Sequence, residues 1–189
     1  SPMVQPRLTT DFIERLLAQS DTDSQLTLLK ENSFADENGL HRLLDYADNA
    51  ACDTPALASS ITSLCQALAE RLESPRIVPR ALYIDAQTHI LRGDADVAIG
   101  MIQAARQAFQ ELNMTVDMLR TDAGLINVHN LLGEYSKSIE IGQAALAQID
   151  LALIDADSET IEQLEMVRGK VYLNQGPAYS ESGQYVEAL

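Results

Sequence analysis

Three short stretches of this chain repeat one pattern, and the pattern restricts the fold more than any other feature. They are Leu91–Ile99 (LRGDADVAI), Leu131–Ile139 (LLGEYSKSI) and Glu181–Leu189 (ESGQYVEAL). Each has a glycine, a small or aromatic residue two positions on, a small residue five on and an aliphatic residue six on. The glycines fall at 93, 133 and 183, spacings of 40 and 50 residues. Self-similarity at a few tens of residues is the signature of a solenoid, whose units each bury a face against a neighbour.

Composition agrees with helices. Ala, Leu, Gln and Glu dominate, aromatics are 5% and prolines number six, while 46% hydrophobic residues suffice for a core. Thirteen Lys and Arg against 28 Asp and Glu give a net charge of −15, which opposes phosphate and disfavours a nucleic-acid partner. No run approaches a membrane span, and no signal peptide is visible. Cys52 and Cys65 lack metal or redox spacing and read as buried thiols of a cytoplasmic protein. Ser1-Pro2 ahead of Met3 reads as a cloning scar, with residues 1–3 outside the fold.

Apolar spacing predicts helices over 8–19, 22–32, 37–51 and 55–73, the last begun by Thr54 at the N-cap and Pro55 at N1. These form an N-terminal block, 4–74, of degenerate repeats or a cap. Repeat-like hairpins follow at about 75–114, 115–157 and 158–189. Helix 79–92 should begin with Pro79 in its first turn and end at Gly93. Its return helix carries Ala98, Ile102, Ala105, Phe109 and Leu112 as one seam, and the 40-residue shift predicts Ser138, Gly142, Ala145, Ile149 and Ala152 in the next. Helices over 116–132 and 135–153 follow, and Asp155–Ser158 caps a long helix. The ten extra residues of the longer period fall around 150–165. Gly176-Pro177 predicts a kink or break in the long helix. The chain stops about one turn into a further return helix, which suggests a fragment of a longer protein.

From Tyr172 onward the chain resembles the first helix and turn of a tetratricopeptide repeat. Tyr172 takes the bulky first position, Gly176 the close-contact glycine, Tyr179 the helix aromatic, Gly183 and Tyr185 the turn, and Ala188 the small residue of the second helix. In the earlier units Ala86 and Ile126 replace that glycine, and His89 and His129 the aromatic. The resemblance implies an all-α fold: an α-α superhelix, a right-handed solenoid of antiparallel helix pairs. The texture also resembles the amino-terminal half of bacterial proteins in which such arrays precede a caspase-like (CHAT) protease, and helical sensor domains of bacterial transcription activators.

In tetratricopeptide arrays the first helix of each unit lines the concave surface. The resemblance therefore implies partner-binding positions at Arg80, Arg120 and Lys170, one equivalent basic row, with Tyr83 and the amides Gln87 and Asn127 beside it. Such a row suits an acidic peptide, against the alternative of intramolecular pairing with the abundant carboxylates. The carboxylate clamp of chaperone-tail binders is not expected, because Tyr83, Ala123, Leu173, Ile84 and Gly124 occupy its positions.

Chemistry finds little footing. His41, His89 and His129 have no metal-ligand spacing, no phosphate loop or nucleophile motif occurs, and no cofactor is expected. Asp94 and Asp96, like Asp155 and Asp157, read as caps. The expectation is a cytoplasmic, non-enzymatic module binding a protein or peptide. The alternative is the regulatory region of a caspase-like protease or the sensor of a transcription activator. A homodimer through the truncated C-terminal end is left open as an expectation, since a cut array exposes faces that a full one caps.

Overall fold

A computed structural model of the chain describes residues 7–183. Among them are nine α-helices and no strand, so the chain is all-α. Tyr185 and Ala188, with the start of the last return helix, lie outside the described residues. The chain divides into two compact units, one ending at Arg92 and the other starting at Gly93.

The first unit holds α1 (Thr10–Leu17), α2 (Thr22–Glu31), α3 (Glu37–Ala50), α4 (Pro55–Ala69) and α5 (Ile77–Leu91). Short polar side chains begin the first three: Thr9, Asp21 and Asp36 accept bonds from the backbone N–H of Phe12, Ser24 and Gly39. Thr54 instead donates its hydroxyl to the Ala50 carbonyl, and Pro55 opens α4 as expected. That helix ends at Ala69 rather than near Glu73. Glu73 adopts a left-handed φ of 48°, and the Ser74 N–H returns to the Ala69 carbonyl. Pro79 lies in the first turn of α5, as its missing N–H requires.

The core of this unit is built from Ile13, Leu16, Leu29, Phe34, Leu40, Leu43, Leu44, Ile61 and Leu68. α3 packs on α4 and α5, α4 packs on α5, and α2 touches α1 and α4. Gly39 allows the loop to cross close to α3, since a Cβ there would lie 2.0 Å from the Phe34 carbonyl oxygen. Cys65 is buried, but Cys52 is exposed, against the expectation of two buried thiols. It lies in the turn after α3, where no helix covers it.

The second unit holds α6 (Ala95–Glu111), α7 (Thr115–Leu131), α8 (Tyr135–Leu153) and α9 (Ser158–Glu181). α7 packs against α6, α8 and α9, and α8 packs against α9. In α6 the buried residues are Ala98, Ile102, Ala105 and Phe109. In α8 Ser138, Gly142, Ala145 and Ile149 are buried at the same four positions, with Ile139 besides. Gly93, Gly133 and Gly183 share a left-handed backbone, with φ of 83°, 74° and 79°. After α7 the Glu134 N–H returns to the His129 carbonyl, closing the helix end.

Pro177 does not break α9, which runs without interruption from Ser158 to Glu181. Pro177 and Leu173 are exposed, so water can serve the Leu173 carbonyl that the proline cannot. The Asn130 amide donates to the next carbonyl, that of Asn174, at 2.7 Å.

Candidate functional site

The six residues of the expected binding surface divide between the units. Arg80, Tyr83 and Gln87 belong to α5, whereas Arg120 and Asn127 belong to α7 and Lys170 to α9.

On α5, Arg80 is tied down. Its guanidinium donates to Nδ1 and the carbonyl of His41, both at 3.0 Å, and to the Asp45 carboxylate. These bonds fasten α5 to α3, which is the intramolecular pairing weighed against ligand capture. Tyr83 and Gln87 are half-buried. On α7, Arg120 bonds Asp117 one turn earlier at 2.8 Å, and both residues are half-buried. Asn127 lies two turns along the same side of α7 and is exposed, as is Lys170 on α9. Among the described residues Lys170 has no ion pair.

Each histidine has a carboxylate within its own unit. His129 is buried, with Nδ1 2.7 Å from Glu134 Oε2. His89 Nε2 lies 3.9 Å from Asp85 Oδ2, and His41 Nε2 lies 3.8 Å from Glu37 Oε1. The Ser59 hydroxyl donates to Asp85 Oδ1 at 2.8 Å. Serine thus meets the carboxylate rather than the imidazole, the wrong order for activating a nucleophile. Among the described residues no group of three His, Cys, Asp or Glu is placed to hold a metal ion. No helix there is long and apolar enough to cross a membrane.

Several polar contacts that position the second unit's surface escaped the sequence reading. Asp122 is buried on α7 and bonds Arg106 Nε of α6 at 2.8 Å. Burial raises its carboxyl above the usual carboxylate range, opposed by the Arg106 bond and charge. Asn174 donates to the Ala123 carbonyl at 2.8 Å, and with the Asn130 bond this fastens α9 to α7. The 51-residue separation of Asn174 and Ala123 carried no local signal, and an acid on a helix otherwise marks a solvated face.

A scan against protein-family models and a search of curated proteins found no match. The functional reading therefore stands on the residues and their geometry.

Proposed function

We propose that this chain is a non-enzymatic, protein-binding array of helical hairpins of the tetratricopeptide kind, working in the cytoplasm as part of a larger bacterial protein. The observation that carries the reading is the recurrence in the second unit. Three glycines at equivalent places share one left-handed backbone, and two return helices bury the same four positions. Helical hairpins repeated in this manner are a binding scaffold, presenting first-helix side chains along one continuous face. Of the expected row, Asn127 and Lys170 are exposed, while Arg120 pairs with Asp117 and Arg80 serves the α3–α5 contact.

Photo-crosslinking tests this reading. A benzophenone side chain placed at Asn127 or Lys170 should capture a protein partner, whereas one at Gln107 on the exposed side of α6 should not. Equal capture at all three positions, or capture at Gln107 alone, rejects the first-helix face.

A further inference from the structure

The second unit carries a cleft of about 590 Å³ where α8 ends and α7 and α9 begin, a size within the usual range of ligand pockets. It is built largely from the ten residues by which this repeat exceeds its neighbour. α8 and α9 have 19 and 24 residues, against 17 in each of α6 and α7. Insertions of this kind gather on one face of a repeat array, often the face that binds.

The lining mixes aliphatic side chains with the polar Thr115, Gln148 and Thr160, and its charged groups are both acidic. Val116 of α7 and Ala152 of α8 contribute carbon surface over the buried Leu164 of α9, and Leu151 lines the cleft while 69% exposed. Ile154 nearby is 73% exposed. Two large aliphatic side chains left this open cost transfer free energy unless something covers them. Asp155 and Asp157 stand among the lining residues, and no lysine or arginine does. Asp157 is anchored, accepting the Thr160 N–H through Oδ1 at 2.7 Å. That bond holds its carboxyl below the usual carboxylate range. Asp155 is exposed and has no ion pair among the described residues.

We infer that this cleft binds a peptide segment of a partner protein presenting a lysine or arginine beside an aliphatic residue. The aliphatic side chain covers Val116 and Ala152 against Leu151, and the cation meets Asp155 and Asp157. An acidic segment finds no lysine or arginine side chain here, and the α9 N-terminus is already capped by Asp157. A second copy brings a net charge of −15 of its own, and like fields oppose its approach. The inference uses neither Arg120, Asn127 nor Lys170, so it goes beyond the first-helix reading and can stand or fall separately.

The test is amide-resolved NMR titration of the full chain with acetyl-Leu-Lys-Leu-amide, using acetyl-Leu-Glu-Leu-amide as the charge control. The lysine peptide should shift Val116, Leu151, Thr160 and Leu164, and the glutamate peptide should not. The double variant Asp155→Asn/Asp157→Ser should weaken binding about fivefold, as loss of two exposed charge contacts predicts. Serine keeps an N-cap acceptor, and circular dichroism checks that α9 stays folded. Three results would overturn the inference: no shift at millimolar peptide, equal response to both peptides, or undiminished binding by the double variant. Shifts of the same residues on raising protein concentration alone would assign the cleft to a second copy and overturn it too.

Discussion

Gly142 and Gln175 touch so closely that a methyl group cannot stand between them: a Cβ on Gly142 would lie 2.0 Å from Gln175 Nε2. The amide is buried and donates to the Ile139 carbonyl at 3.2 Å, joining α9 to α8. Gly142→Ala should therefore destabilise the protein by about 1–3 kcal/mol, overpacking outweighing the gain of up to about 1 kcal/mol from helix propensity. Gly100 is the control. It is exposed on α6, and a Cβ there would meet nothing within 4 Å, so Gly100→Ala should stabilise. Chemical denaturation of both variants checks the opposite signs. In Gly142→Ala/Gln175→Ala the two losses should be less than additive.

The seam of the return helices was legible because a narrow apolar stripe at helical spacing has one folded use. Phe109 and Ile149 occupy the same place in α6 and α8, and both are buried. Phe109→Ala should cost about 3–5 kcal/mol and Ile149→Ala about 2–5 kcal/mol. An unchanged denaturation midpoint for either would show that its side chain is not enclosed.

Helix order and the three glycine turns were readable for a similar reason, since glycine at a helix end marks a left-handed residue. The end of α4 was not, because Glu73 adopts a left-handed φ of 48° without being glycine. A break at Gly176-Pro177 does not occur, because propensity acts locally, whereas the Asn130 bond to the Asn174 carbonyl comes from another helix. At the candidate site the sequence places the basic positions but cannot show which are taken. Arg80 and Lys170 look alike in a repeat alignment, yet one is bonded across two helices and the other is open to solvent. The cleft beside Leu151 depends on where an insertion folds, and spacing alone does not carry that.

The two thiols should differ sharply in reactivity. Cys52 is exposed, whereas burial pushes the Cys65 thiol up to about 12, with the Arg80 charge opposing the shift. Thiolate is the attacking species, so Cys65 is almost wholly unreactive at neutral pH. Ellman's reagent at pH 8 should label one thiol per native chain quickly and two after denaturation, and Cys52→Ser should abolish the fast phase. Rapid labelling of native Cys52→Ser would place Cys65 within reach of solvent.

Acid stability should show two opposing slopes from the second unit. The Asp122 carboxyl is raised above its ordinary value of 3.8, chiefly by burial. The folded state then holds more protons than the unfolded chain between 3.8 and the raised value, so stability declines as pH climbs through that window. Asp157 is the reverse: the Thr160 bonds lower its carboxyl below 3.8, so its contribution is present above 3.8 and is lost as pH falls through the lowered value. Urea midpoints between about pH 2 and 7 separate the two. Asp122→Asn should lower stability overall, because Arg106 loses its anionic partner, while removing the decline above pH 3.8. Asp157→Ser should leave that decline intact and flatten the fall at lower pH. Arg106→Met should steepen the decline, since both opposing influences on Asp122 disappear together. A profile for Arg106→Met parallel to that of the parent protein would show that Asp122 does not depend on the guanidinium.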